Sequence, residues 1–228
     1  MIADNLESVR RNIHTVAERC GRNPEGIRLV AVTKTFPVIA IKEAMASGQF
    51  LFGENYIQEA EEKYVELADH VQFHFIGHLQ SNKAHIAARI FRMIETVDRL
   101  KLALALHRHL AQSGKTMDIL IQVNIGRDEK KSGIGPQDTE DLLKQIAPLS
   151  NLRSLGLMTM PPFSEDPEKS RPYFRELYQL AKDLQSKKLF YDNKCVELSM
   201  GMSHDYPVAI EEGATLIRVG TAIFGHRQ

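Results

Sequence analysis

Short runs of β-branched and other apolar residues alternate along this chain with longer stretches whose apolar positions recur every three to four residues. In the opening stretch Leu6, Val9, Ile13, Val16 and Ala17 fall on one face of a helix, with Asp4 or Asn5 placed to cap it. Arg28 to Lys34 then reads as a buried strand, and Ile39 to Ser47 as a helix that stops at Gly48. Further strands are expected at Phe50 to Gly53, Gln72 to Ile76, Met93 to Val97, Met117 to Asn124, Leu152 to Met158, Val196 to Ser199 and Leu216 to Val219. Between them the helical period returns over Tyr56 to Leu67, Asn82 to Ile90, Arg99 to Gln112, Gln137 to Ile146, Lys169 to Lys187 and Tyr206 to Glu212.

Strand–helix alternation implies parallel strands joined by right-handed crossovers. Eight such units of about 25–30 residues favour a closed (β/α)8 TIM barrel over an open doubly wound sheet. No linker, low-complexity tract or repeat interrupts them, so residues 1–228 are expected to form one α/β domain with an extra N-terminal helix.

Composition removes several alternatives. A chain of 228 residues, 43% hydrophobic and 25% charged, belongs with globular proteins large enough to bury a sizeable core. The 29 basic and 29 acidic residues cancel, and nucleic-acid binding needs a basic stripe. The nearest candidates, Arg127-Asp128-Glu129-Lys130-Lys131 and Lys187-Lys188, read as solvated loops or helix ends. No apolar run approaches the ~20 residues of a membrane span, and charges in the first twenty residues break any signal-peptide core. Two distant cysteines, Cys20 and Cys195, fit a reducing compartment, so a cytoplasmic protein without membrane or nucleic-acid partners is expected. No His/Cys/Asp set has zinc-ligand spacing, and no metal is expected. Ser199 and Ser203 lack the G-x-S-x-G setting of a hydrolase nucleophile.

Function in such barrels sits at the C-terminal ends of the strands. Lys34 closes the first strand, where burial would lower the pKa of an amine aimed into the mouth and suit it to imine formation. The plainer alternative is a solvated lysine, or one paired with Glu54. After strands seven and eight, Gly201, Ser203, Gly220 and Thr221 offer close backbone approach, hydroxyls and helix-start amides to a phosphate; each loop alone could equally be an ordinary capped turn. Arg218, inward by alternation or beside an inward Val219, would need an acceptor, either a ligand ring nitrogen or a carboxylate such as Glu197. His74 is compatible with a hydrogen-bonded core residue as much as with a pocket residue.

Ordered segments along the chain carry a resemblance. They are Leu29-Val30-Ala31-Val32-Thr33-Lys34, Phe52-Gly53-Glu54-Asn55-Tyr56-Ile57-Gln58-Glu59, and His74-Phe75-Ile76-Gly77-His78-Leu79-Gln80-Ser81-Asn82-Lys83. Lys131-Ser132-Gly133, Gly156-Leu157-Met158, Leu198 to Ser203 and Arg218 to Gly225 follow. Together they resemble the pyridoxal phosphate homeostasis proteins, single-domain barrels similar to alanine racemase. The resemblance implies pyridoxal 5'-phosphate held as a Schiff base on Lys34, and a phosphate held by Ser203, Gly220 and Thr221 with Ser199 and Gly201. It further implies Arg218 facing the pyridine nitrogen, with Asn55 and His74 lining the pocket. One departure is visible. Phe36 stands where the family often has a second lysine, whereas Lys131 of the Lys-Ser-Gly segment is kept.

Racemisation needs acid–base groups on both faces of the substrate carbon, and in the racemases a separate β domain supplies one. The chain ends at Gln228, so that domain is expected to be absent and the barrel mouth open. Arg218 cannot give up its proton and would keep the pyridine nitrogen unprotonated, weakening the ring as an electron sink. The resemblance therefore implies a monomeric carrier of the cofactor with no robust catalysis. It would serve vitamin B6 homeostasis and amino-acid balance, with pyridoxal phosphate-dependent apoenzymes as recipients. The alternatives are a weak pyridoxal phosphate-dependent amino-acid racemase and a cofactor-free, aldolase-type Schiff-base barrel.

Overall fold

The computed structural model describes residues 1–128 and 130–225. Strands β1 (Arg28–Val32), β2 (Leu51–Glu54), β3 (Gln72–Phe75), β4 (Met93–Val97), β5 (Met117–Gln122), β6 (Leu152–Met158), β7 (Glu197–Met202) and β8 (Leu216–Val219) close in that order into a parallel barrel. The seam pairs Arg28 with Leu216 and Ala31 with Val219. Helix α1 (Ile2–Arg19) precedes the first strand. The crossovers carry α2 (Val38–Ala46), α3 (Ile57–Leu67), α4 (Ala84–Ile90), α5 (Leu100–Gln112), α6 (Thr139–Ile146), α7 (Arg171–Ser186) and α8 (Tyr206–Glu211), and α9 (Thr221–Phe224) follows β8.

Alternation along each strand divides the core in two. Leu29, Ala31, Phe73, Phe75, Leu198, Met200, Ile217 and Val219 point outward into the layer shared with the helices. Val30, Met93, Leu120, Met158 and Leu216 form a small apolar cluster of their own inside the barrel. Both faces are buried, which is why the strands read as nearly continuous apolar runs. Each fully buried Leu, Ile or Phe of these layers contributes roughly 1.5–3 kcal/mol. A few strand positions are polar and buried instead, and they define the site.

Helix α1 buries Leu6, Val9, Ile13, Val16 and Ala17. It begins at Ile2 with Met1 at the cap position, so neither Asp4 nor Asn5 caps it. Asn5 Nδ2 instead donates to the Ile223 carbonyl of α9 at 2.8 Å, and Asn12 Nδ2 to the Tyr206 hydroxyl of α8 at 2.7 Å. The added helix thus braces the two elements that follow β7 and β8.

The bounds of β1, β2, β3, β5 and β7 differ from expectation, and at β1 and β7 specific hydrogen bonds mark the boundary. β1 stops at Val32: Thr33 N–H makes one further ladder bond to Gly53 O, and the chain then turns through Thr35 at φ +67°. β2 runs from Leu51 to Glu54, leaving Phe50 exposed. β7 continues past Ser199 to Met202, where the Asp205 carboxylate accepts from Met202 N–H at 2.7 Å.

Lys187 stands just past α7 and pairs with Asp183 and Glu140. In the other basic stretch Arg127 pairs with Glu176, and Glu129 lies outside the described residues. Among the described residues no helix is long and apolar enough to cross a membrane, and Cys20 and Cys195 are free and exposed.

Candidate functional site

A cavity of about 250 Å³ opens at the C-terminal ends of the strands, and Lys34, Asn55, Ser203, Arg218, Gly220 and Thr221 all line it. These residues come from strand ends one, two, seven and eight and are brought together only by closure of the barrel. The remaining three expected residues do not line it. His74 and Ser199 are buried inside the barrel, and Gly201 meets α8.

Lys34 sits in a turn rather than on a strand, half-buried, between Thr33 and Thr35. Phe36 N–H closes that turn onto Thr33 O at 3.0 Å, and the Phe36 ring stacks on Phe224 of α9 with centroids 5.1 Å apart. Phe36 therefore ties the lysine turn to α9, which follows β8.

Glu54 pairs with Lys63 of α3, Oε1 to Nζ at 2.6 Å, and also accepts from Thr33 Oγ1 at 2.7 Å. Burial pushes its carboxyl above the ordinary range, with the Lys63 charge opposing. Asn55 follows at the end of β2, its Oδ1 buried without a hydrogen-bond partner. Gly77 lets this segment pass: a Cβ there would lie 2.2 Å from Asn55 O.

Arg218 sits opposite Val30 across the seam, which settles its direction inward, while Val219 faces the helices. Its Nη2 donates to Thr159 O at 2.8 Å and its Nη1 to Ser199 Oγ. Ser199 in turn donates to Glu95 Oε2 at 2.5 Å, and His74 Nδ1 donates to Glu95 Oε1 at 2.6 Å. The counter-ion of Arg218 is thus Glu95, reached through one hydroxyl. Glu197 is occupied elsewhere, by Arg28 at 2.8 Å and Thr215 Oγ1 at 2.6 Å. Burial alone would raise the Glu95 carboxyl, but the His74 hydrogen bond and the His74 and Arg218 charges hold it below the usual carboxylate range. Burial lowers Arg218, with Glu95 and Asp205 opposing, from a reference so high that the guanidinium stays charged.

At the far end Ser203 Oγ accepts from Gly220 N–H at 3.1 Å and Ala222 N–H at 3.4 Å. Its own O–H remains a donor, and Thr221 lines the same cavity. Gly201, at φ +91°, has no room for a side chain, since a Cβ would meet Ala209 Cβ at 2.5 Å and Tyr206 Cα at 2.9 Å. Its role is to admit α8 behind the loop. Met160 and Phe163 form an exposed apolar wall. They are shared with an adjoining chamber of about 320 Å³ that adds His78, Gln122, Lys131 and Ser132. Lys131 Nζ donates there to Pro161 O at 2.9 Å.

Two functional groups escaped the sequence reading, Glu95 and Lys63, although each leaves a trace. Glu95 interrupts the apolar run Met93-Ile94-Glu95-Thr96-Val97 at an inward position. Lys63 occupies the buried stripe Ile57, Ala60, Lys63, Leu67 of α3. Among the described residues no cluster of three or more His, Cys, Asp or Glu could hold a metal ion.

The site therefore offers a primary amine at the mouth, a fixed guanidinium on the floor, an unpartnered amide oxygen on one side and hydroxyl donors at the far end. Residues 5–228 match the family model "Alanine racemase, N-terminal domain". The chain is 40% identical over 226 residues to the pyridoxal phosphate homeostasis protein of Aquifex aeolicus, covering 99% of this chain and 98% of that protein. It is also 40% identical over 230 residues to the protein of that name from Escherichia coli, covering 99% and 97%. The structure of PipY from Synechococcus elongatus with PLP bound superposes with a TM-score of 0.86 at 37% identity, covering 99% of this chain and all of that one.

Proposed function

This chain belongs to the pyridoxal phosphate homeostasis family, on the fold of the alanine racemase N-terminal domain, and from that premise we propose that it binds pyridoxal 5'-phosphate through Lys34 to hold and release it. The observation that carries the reading is the meeting of Lys34, Asn55, Arg218, Ser203 and Thr221 in one small cavity. When bound, pyridoxal phosphate supplies an aldehyde that condenses reversibly with a primary amine. Lys34 provides that amine. The Ser203 and Thr221 hydroxyls, beside the Gly220 backbone, donate to the phosphate. Asn55 turns its unpartnered Oδ1 toward a donor on the ligand, which accounts for a buried polar atom otherwise left at a cost of ~1–3 kcal/mol.

Arg218 donates to the pyridine nitrogen and leaves it without a proton. Glu95, Ser199 and His74 hold the guanidinium in place from behind, so His74 and Ser199 serve the ligand at one remove. A neutral ring is a poor electron sink. The arrangement suits storage and transfer over racemisation, with negligible exchange of amino-acid α-hydrogens expected in heavy water. The reading extends to a monomer acting in the cytoplasm and delivering the cofactor to pyridoxal phosphate-dependent apoenzymes. An open mouth with an adjoining chamber and two free, exposed cysteines support it.

Titration of the purified protein with pyridoxal phosphate tests the reading. A visible absorption band is expected in the wild type and not in Lys34→Ala, and the loaded wild type should activate an added apoenzyme in proportion to its cofactor. An equal band in both proteins, or none in either, would overturn it.

A further inference from the structure

Beneath the turn that carries Lys34 lies a second lysine, sealed from solvent. Lys63 is 4% exposed and lines neither the cavity nor the adjoining chamber. Its ammonium makes three bonds, to Thr33 O at 2.7 Å, Glu54 Oε1 at 2.6 Å and Glu59 Oε1 at 2.6 Å, which matches its three donors.

Every one of those acceptors leads to the turn. The first is the backbone carbonyl of Thr33, immediately before Lys34. Glu54 Oε1 also accepts from the Thr33 hydroxyl at 2.7 Å. Glu59 Oε1 also accepts from Thr35 N–H at 2.6 Å, immediately after Lys34. Thr35 is held at φ +67°, a conformation a β-branched residue avoids unless its surroundings impose it. The ammonium therefore grips the residues on both sides of Lys34, directly or through one carboxylate.

Simple packing would not call for this arrangement. An apolar residue at position 63 would complete the buried stripe of α3 without the desolvation penalty of an ammonium. The cluster is also incompletely satisfied on its own terms, since Glu54 Oε2 is buried without a partner.

We propose that Lys63 is a positioning residue for Lys34: through Thr33, Glu54 and Glu59 it holds the Thr33–Phe36 turn in the shape that presents the Lys34 amine to the cavity. The inference rests on the assignment of Lys34 as the cofactor-bearing lysine. It separates two properties of the site. Covalent capture at Lys34 depends on the clamp, whereas recognition of phosphate and ring by Ser203, Thr221 and Arg218 does not.

The test compares wild type, Lys63→Met and the milder Glu59→Ala with two probes. Pyridoxal phosphate reports the rate of covalent attachment by stopped-flow absorption. Pyridoxine 5'-phosphate, which lacks the aldehyde, reports non-covalent affinity. Attachment is expected to slow by about tenfold or more in Lys63→Met, and by a smaller factor in Glu59→Ala, as misplaced reacting groups do. Affinity for pyridoxine 5'-phosphate should stay within about twofold, because the groups that recognise phosphate and ring remain preorganised. Attachment at the wild-type rate in the variants, or an equal loss for both probes, overturns the proposal. If Lys63→Met does not fold, Glu59→Ala decides by the same two readouts. If the wild type attaches no cofactor at Lys34, the functional assignment itself falls, and this inference falls with it.

Discussion

Glu95, in the middle of β4, and Glu54, at the end of β2, are both fully buried, and both have a buried cation nearby, yet their acidities move in opposite directions. Glu95 has both oxygens bonded, one to His74 and one to Ser199, with Arg218 beyond the serine. Its partners outweigh burial. Glu54 concentrates two donors, Lys63 and Thr33, on a single oxygen and leaves the other with none. There burial outweighs the partners. Burial alone does not set the state of a carboxyl: His74, Arg218 and Ser199 together overcome it at Glu95, whereas at Glu54 the Lys63 charge does not, and the neighbouring Glu59 carboxylate adds to the rise. The floor of the site is accordingly a network in which both Glu95 oxygens are bonded, whereas the support under the lysine turn keeps a buried carboxylate oxygen without a partner.

The sharpest way to break that contrast is to remove the cation from the floor. Arg218→Leu removes one of the two cations facing the buried Glu95 and should cost up to about 3–5 kcal/mol in chemical denaturation, together with weakened binding of pyridoxal phosphate. A loss below ~1 kcal/mol would mean that the network contributes little.

Neutralising each carboxylate in turn sharpens the comparison. Glu95→Gln should cost about 1.5–3 kcal/mol, the worth of hydrogen bonds to a charged group, and Glu54→Gln less than ~1 kcal/mol. The pH dependences should separate as well. A folded pKa below the ordinary ~4.3 means that the Glu95 contribution is present above that pH and lost as pH falls through the lower folded value. A folded pKa above ~4.3 means that Glu54 subtracts stability as pH rises through that value toward the raised one. Glu95→Gln should therefore reduce the steepness of acid unfolding, and Glu54→Gln should relieve a penalty at neutral pH. Equal costs and parallel pH profiles would contradict the assignment.

The smallest effect is expected at Phe36. Phe36→Ala removes the stacking on Phe224 and should lower stability by about 0.5–1.5 kcal/mol in thermal melts. Phe36→Lys should lose a similar amount.

Much of the architecture was legible in residue patterns, because each strand is buried on both faces and each helix on one. Patterns did not show where side-chain bonds end a strand: Lys34 falls in a turn fixed by Glu59 and Thr35, and β7 runs on to an Asp205 bond. At the site, residue types suggested the amine, the guanidinium and the hydroxyls. The partners of Arg218 were not readable, because Glu95 and Ser199 stand 104 positions apart and meet only through barrel register. Glu95 in an apolar strand and Lys63 in an apolar stripe were visible as anomalies; Glu95 reaches Arg218 through Ser199, and Lys63 bonds the carbonyl of Thr33 beside Lys34.

The central claim, that Lys34 holds the cofactor, is tested most directly by reducing the pyridoxal phosphate-loaded protein with borohydride and mapping the modified peptide by mass spectrometry. A phosphopyridoxyl group on Lys34, absent from Lys34→Ala and from the buried Lys63, is the expected result. Modification centred on another lysine, such as Lys131 in the adjoining chamber, or no modification at all, would contradict it.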